Sequence, residues 1–537
     1  MTSGDPRFVD WLARELAGLG ARHAFGVPGG GNSLDLLKAL QGAGIRSLIT
    51  AREDAAVIMA GVSGRLTGAP GVAFTTKGPG LASAANGLAS AALDRMPTLL
   101  VSEGFDREEL TFLSHQVFDQ SAFVNGLLGD TATMTLDPNP ATVGPAMREM
   151  MQWPMSPRVL LADPAKMTAP VIPMSTEDAS GREDHLDEEA LDRARALLKS
   201  ADRPVVVVGL EATTPECADA ITALIELLGA PALCTYMAKG VVADDHPLYA
   251  GIFTGGAIEQ PCVGAADLIV LIGLDPVELI RKPWPYEASV LDICASAHEP
   301  HYMTPDVRVV GRLAPTVFAL AAGVSASNWK SSEVAAHRAH FMSGMTMKST
   351  DGLTAADVVR IAQDVFEAKP RLTVDAGAHM FSACAFWPCS EPLDLLISNG
   401  LATMGFALPA ALAAALHDPE RGAVAMTGDG GLMMCLGELK TAAVAGANLT
   451  VIVFNDGRLS LIDIKREQLQ MAELGLSWEP PDFATIAQGF SMQAWIAQDL
   501  AELRSACEAA AQHQGPCLID ARIDPSVYLE QMRSLRG

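Results

Sequence analysis

Residues 427–458, TGDGGLMMCLGELKTAAVAGANLTVIVFNDGR, decide how the chain is read. An apolar strand precedes Gly428-Asp429-Gly430, an alanine-rich helix follows, and Asn455-Asp456-Gly457 closes the next apolar strand. Glycines after a strand let backbone N–H groups approach an anion, and the following helix aims its positive end at the same point. An aspartate among those glycines would repel a bare phosphate. A divalent cation between carboxylate and phosphate removes the conflict, because Mg²⁺ takes oxygen ligands from both. Adjacent parallel strands present their C-terminal ends side by side. Asp429, Asp456 and a loop carbonyl there make a hard oxygen set suited to Mg²⁺ or Ca²⁺.

The same alternation of short apolar strands and longer amphipathic helices runs along the whole chain. It predicts an α/β protein of parallel, doubly wound sheets. Strands are expected at 71–75, 98–102, 204–208, 268–272, 423–426 and 450–454. Two polar stretches, 170–188 (PVIPMSTEDASGREDHLDE) and 324–354, read as linkers and leave three domains, at 1–170, 188–325 and 350–537. The outer two echo each other: GVAFTTKGPGLASAANGLASAALDRMPTLLVSEG repeats the order strand, glycine turn, alanine-rich helix, strand of the 423–456 region. The middle domain is Rossmann-like but lacks a full G-x-G-x-x-G, so it reads as a structural α/β domain.

Bulk properties exclude several classes. A chain of 537 residues, 49% hydrophobic, can bury several cores. Its net charge of −25 argues against nucleic acid and anionic membranes as partners. Nine scattered cysteines form no disulfide framework and no paired C-x-x-C set, which suits a reducing cytoplasm. The N-terminus has early acids and no apolar run, unlike a signal peptide. The most apolar later stretch, 401–416, contains Pro409 and falls short of a membrane span. A soluble cytoplasmic protein is expected.

The 427–458 span resembles the diphosphate-binding motif of the thiamine-diphosphate-dependent enzymes, in which Gly-Asp-Gly is followed one strand later by Asn-Asn or Asn-Asp. The likeness extends over nearly the whole chain, to the three-domain arrangement of the acetolactate synthase, pyruvate oxidase and 2-oxo acid decarboxylase group. It implies a pyrimidine-binding first domain, a Rossmann-like central domain and a diphosphate-binding last domain, with thiamine diphosphate and Mg²⁺ as cofactors. By that match Asp429 and Asp456 hold the metal through side chains and Arg458 through its backbone carbonyl. Gly430 and Gly431 offer N–H groups to the phosphates, as do Ala378 and His379 in TVDAGAHMFSA.

On composition alone Glu53 is an ordinary charged helix start, Met404 a core methionine and His379 a structural histidine. The resemblance implies other roles. Glu53, in LITAREDAAVIMAGVSGRLTG, would hydrogen-bond the cofactor's aminopyrimidine ring, whose protonated form lets the exocyclic nitrogen take the thiazolium proton. A carboxyl group whose neutral form is favoured by apolar surroundings suits that task. In SNGLATMGFALPAALAAAL, Met404 would wedge between the two rings and the Ala402 carbonyl would accept from the exocyclic amine. Loops 26–37 (GVPGGGNSLDLL) and 76–80 (TKGPG) would face the reactive carbon. Because Glu53 and the metal ligands lie in different domains, and the family builds each site across a subunit interface, a homodimer at least, and a homotetramer by family habit, is expected.

The resemblance also bears on the reaction. Aldehyde-releasing relatives use an acid in the PGG loop, a His-His pair and a Glu after the metal ligand. Here those places hold Gly30, His115 followed by Gln116, and Ile462, with Asp463 one residue out of step. SHQVFDQSAF resembles the acetolactate-synthase-like segment with Gln near the reactive carbon, which nominates Gln116 and His115 as catalytic. LSLIDIKREQLQ, after Arg458, lacks the tryptophan-containing pattern of biosynthetic acetolactate synthases. The expectation is an acetolactate-synthase-like lyase or carboligase that decarboxylates a small 2-oxo acid or related acyl donor. One alternative is a simple decarboxylase releasing aldehyde. Another is an acyl-CoA-type lyase resembling oxalyl-CoA decarboxylase or 2-hydroxyacyl-CoA lyase, for which only Arg281 and Lys282 offer nucleotide-binding charge. A non-enzymatic homologue would be marked by loss of Glu53 or the metal ligands, and all are present.

Overall fold

A computed structural model describes residues 6–105, 108–130, 132–134, 139–171, 187–279, 283–298, 303–348 and 352–537. It contains three six-stranded sheets, all parallel, with helices packed on their faces. The first holds β1 (His23–Val27), β2 (Arg46–Ile49), β3 (Gly71–Thr75), β4 (Thr98–Glu103), β5 (Thr133–Met134) and β6 (Arg158–Ala162) in the order β2-β1-β3-β4-β6-β5. The middle sheet holds β7 (Pro204–Val208), β8 (Ala232–Cys234), β9 (Tyr249–Ile252), β10 (Leu268–Ile272), β11 (Ser289–Cys294) and β12 (Val307–Val310). Its order is β12-β11-β10-β7-β8-β9. The last holds β13 (Arg371–Val374), β14 (Leu395–Ile397), β15 (Ala423–Gly428), β16 (Leu449–Asn455), β17 (Gln493–Ala497) and β18 (Cys517–Arg522), in the order β14-β13-β15-β16-β18-β17.

The outer sheets therefore share one strand order, the structural form of their sequence echo. In both, the order reverses beside the first strand, at β1/β3 and at β13/β15, and such reversal points open a crevice at the strands' C-terminal ends. The middle sheet has the dinucleotide-fold order, with its reversal at β7/β10. β7 (PVVVV), β10 (LIVLI) and β16 (LTVIVFN) are buried end to end, as strands covered on both faces require.

Part of the second linker, 324–354, is a helix, Ser331–Met345. Only Val334, Phe341 and Met345 of it are buried, and so sparse an apolar stripe reads in sequence as a polar spacer. Of the first linker, 172–186 lie outside the described residues, as do Arg281 and Lys282.

One packing contact positions the site. Helix Ala407–His417 (ALPAALAAALH) is buried from Ala407 to Ala415 and packs on Glu53–Thr67, itself buried from Ala55 to Gly64. Its small side chains allow close approach, and Pro409 is tolerated because the first turn needs no N–H partner. The first and last domains thus share one core. All nine cysteines are unpaired and buried. Among the described residues no helix is long and apolar enough to cross a membrane.

Candidate active site

At the C-terminal ends of β13 to β16 lies a cavity of about 400 Å³. Every residue nominated in the last domain lines it: Ala378 and His379 after β13, Ala402 and Met404 after β14, Asp429, Gly430 and Gly431 after β15, and Asp456 and Arg458 after β16. Strand ends at a reversal of order have collected residues from four separate stretches.

Asp429 is almost fully buried. Its Oδ2 accepts from Gly457 N–H and from the Trp478 indole, both at 3.0 Å, and its Oδ1 from Gly430 N–H at 2.8 Å. Asp456 accepts from Arg458 N–H at 3.2 Å and from the Ser460 hydroxyl. Burial pushes the Asp456 carboxyl up to about 6, and the neighbouring charge of Asp429 adds to the shift. Two desolvated carboxylates that disfavour each other's ionisation at a cavity wall are a pair that a divalent cation would relieve. Among the described residues no three His, Cys, Asp or Glu side chains cluster as a metal site. The two carboxylates, with the expected Arg458 carbonyl, would suit a cation that also draws oxygens from a ligand and from water.

The diphosphate side also fits. His379 stacks on Phe454 with ring centroids 4.9 Å apart, and burial depresses its pKa to about 4, so the free ring is neutral. Its buried Nε2, at the cavity, has no hydrogen-bond partner. An anion there would favour the protonated ring and give that nitrogen a donor role. A Cβ on Gly377 would lie 2.7 Å from the His379 ring, so only glycine allows this turn. Ala402 sits at φ 54°, a left-handed conformation costing an alanine about 1 kcal/mol. Such strain at a cavity wall points to a functional constraint on its carbonyl.

Residues that sequence reasoning missed hold these in place. Asp375, buried behind the cavity, accepts from Phe406 N–H (2.6 Å), Ala407 N–H (2.8 Å), Gly405 N–H (3.2 Å) and the Thr427 hydroxyl (2.6 Å), fixing the turn that carries Met404. Trp478 reaches Asp429 because residues 476–478 pair with 457–459. Tyr528 and Arg536, on the last helix, close the far wall. Asp375 stands just ahead of Ala378 and His379 in TVDAGAH and had a local signal. Trp478, Tyr528 and Arg536 had none.

The first-domain nominees are elsewhere. Glu53, His115 and Gln116 do not line the cavity. Glu53 opens its helix at the end of β2, partly exposed beside Gly80. His115 and Gln116 are exposed in a turn, with Gln116 at φ 63° packed on Gly78. Just ahead of Glu53, Ala51 and Arg52 donate N–H bonds of 3.1 and 3.0 Å to the buried carboxylate of Glu438, from the last domain. Glu438 thus anchors the backbone that leads into the helix, whose N-cap residue Arg52 makes no side-chain cap.

Comparison with known proteins finds the same family along the chain. Residues 6–123 match the family model for the N-terminal TPP binding domain of thiamine pyrophosphate enzymes, 191–320 that for the central domain, and 375–521 that for the C-terminal TPP binding domain. Similar proteins include an acetolactate synthase of Bacillus subtilis (strain 168), 26% identical over 96% of this chain and 92% of its own length. A probable 2-ketoarginine decarboxylase of Pseudomonas aeruginosa is 27% identical over 95% of this chain and 93% of its own. A 2-hydroxyacyl-CoA lyase of Oryza sativa subsp. japonica is 26% identical over 97% and 95%.

Proposed function

The chain belongs to the thiamine pyrophosphate enzymes, and from that premise we propose that it decarboxylates a small 2-oxo acid and passes the acyl fragment to a second carbonyl compound. Bound thiamine diphosphate supplies the electron sink for breaking the bond next to the carbonyl. Asp429, Asp456 and the Arg458 carbonyl hold Mg²⁺, while His379 and the N–H groups of Gly430 and Gly431 take the diphosphate. Met404 keeps the cofactor bent, and Asp375 keeps Met404 in place. Glu53 carries the proton for the aminopyrimidine ring and comes from a second copy of the chain. In support of that second copy, the cavity lacks first-domain residues, and Leu34, Ile49, Met433 and Met434 leave apolar surface uncovered on both halves.

The observation that carries the transfer reading is the cavity mouth. Ile462, 54% exposed, occupies the place where an aldehyde-releasing site needs an acid, and Gly30 brings no side chain at all. Asp463, one position on, is buried and ion-paired with Arg466 at 2.6 Å and Arg458 at 3.4 Å, so it is no free donor. Protonation needs a positioned acid of suitable pKa, whereas capture by a carbonyl acceptor needs space and apolar contact.

The acyl-CoA lyase reading asks for a nucleotide seat in the central domain. At the β7/β10 reversal, a cavity of about 330 Å³ is lined by Glu211, Asp275, Arg95 and His298, with Asp275 salt-bridged to Arg95 at 2.7 Å. Burial pushes Glu211 up to about 7, and Gly209-Leu210-Glu211 places a carboxylate where a phosphate loop needs glycine.

The test is product analysis by mass spectrometry with pyruvate and longer 2-oxo acids, each with and without a carbonyl acceptor. Acceptor should speed donor consumption and appear in a ligated product. Free aldehyde alone, formed at a rate indifferent to acceptor, would sink the proposal.

A further inference from the structure

Sequence reasoning passed over Glu103, the last residue of β4. By the shared strand order, β4 in the first sheet corresponds to β16 in the last, so Glu103 stands where the last domain places Asn455 and Asp456. It is 7% exposed. Its Oε1 accepts from both the Ser33 N–H (2.9 Å) and the Ser33 hydroxyl (2.8 Å), and that hydroxyl in turn accepts from Gly29 N–H at 3.0 Å. Its Oε2 lies 3.5 Å from the Thr76 hydroxyl. Its backbone carbonyl accepts from the Gln120 side chain at 3.3 Å, at the start of the helix that follows His115 and Gln116.

Two loops meet at its carboxylate, the glycine loop after β1 and the TKGPG loop after β3, while its backbone carbonyl holds Gln120 at the start of the next helix. The two loops are those expected to face the reactive carbon, where an acceptor would enter. The carboxylate and Thr76 crowd two of the three glycines. A Cβ on Gly31 would lie 3.1 Å from Glu103 Oε2, and one on Gly29 would lie 3.2 Å from it and 2.3 Å from Thr76 Oγ1. Gly30, with nothing within 4 Å, is the loop residue left facing outward. The loop is wrapped around a buried carboxylate, with Ser33 as the tie.

We propose that Glu103 is a positioning residue that locks the glycine loop and the TKGPG loop into one acceptor-binding shape. The acceptor role rests on the carboligase reading; the loop-locking role does not. Carboxylate-to-amide bonds at a helix start are strong for their size, because the acceptor is charged and the N–H unsatisfied. Losing them frees a loop whose misplacement by about 1 Å can cost about 10²-fold in a reaction governed by orientation.

The experiment uses the full chain with thiamine diphosphate and Mg²⁺, as Glu103→Ala, Glu103→Gln and Ser33→Ala. Three quantities are read: hydrogen exchange of the 28–33 amides, cofactor affinity by titration, and acceptor KM against kcat. Glu103→Ala should speed exchange in 28–33 by about tenfold or more and raise acceptor KM by about 10 to 100 fold. Cofactor affinity should stay within about twofold, since the diphosphate cavity is in the other domain. Glu103→Gln should restore most of both, because an amide oxygen still accepts from Ser33. Should Glu103→Ala not fold, Ser33→Ala must shift loop exchange and acceptor KM in the same direction. Parental exchange and KM in Glu103→Ala (or, failing that, in Ser33→Ala) would overturn the proposal. A Glu103→Gln variant as slow as Glu103→Ala with its loops still protected would also overturn it, since charge rather than position would then matter. If no 2-oxo acid is turned over by the parent protein, the carboligase reading fails, while exchange and cofactor titration still decide the loop claim.

Discussion

Glu53→Gln is expected to keep thiamine diphosphate bound and to lose roughly 10² to 10⁴ fold in turnover, the usual worth of a general acid–base group. The amide keeps the size and one acceptor of the carboxyl group and removes the proton owed to the ring nitrogen. The diphosphate and metal ligands are expected from the last domain, where the cavity is lined without Glu53. The substitution should not disturb the fold, because the backbone just ahead of residue 53 is held by Glu438 and not by the Glu53 side chain. Circular dichroism of the bound cofactor, set beside steady-state rates, separates binding from chemistry. Turnover near the parental rate would end the assignment.

Asp456→Ala should weaken Mg²⁺ and cofactor together. Asp429 is already committed to three donors, so it cannot swing to replace the lost ligand. With poorer neutralisation it would face the diphosphate as a like charge, and the affinities should fall as a linked pair. A pH signature belongs to the same group. Ligation requires the ionised carboxylate, and in the free site that carboxyl titrates near 6. In the parent protein, metal affinity should therefore be level above about pH 6 and fall by about tenfold per unit below it, with proton release on binding. Titrating cofactor at several Mg²⁺ concentrations across that range tests both statements. An Asp456→Ala protein with cofactor affinity unchanged and independent of metal would make Asp456 a turn residue only.

The cavity of the last domain was legible because its lining is written at strand ends: Gly-Asp-Gly after β15 and Asn-Asp-Gly after β16 are local words with a local physical meaning. The expected strands at 71–75, 204–208 and 268–272 lie where the structure has them, since continuous apolar runs leave a parallel strand little choice. What stayed hidden depends on partners far along the chain. Glu103 is an unremarked glutamate until Ser33 is beside it, and Glu438 gains its anchoring role only through the backbone at Ala51 and Arg52. Side-chain to backbone bonds of such long reach leave no periodicity and no spacing to read. Helix Ser331–Met345 was missed for a related reason: its few apolar contacts are supplied by other elements.

The separation of Glu53 from the cavity has a genetic consequence. If each site draws its acid from one chain and its metal ligands from another, Glu53→Gln and Asp456→Ala damage different halves. Alone, each protein would be nearly inactive. In a mixed dimer one site inherits both lesions, and the other inherits neither. Random pairing of equal amounts puts half of the dimers in that mixed class, so about a quarter of all sites should be intact. Two defective alleles expressed together should then complement each other, and two copies of either one should not.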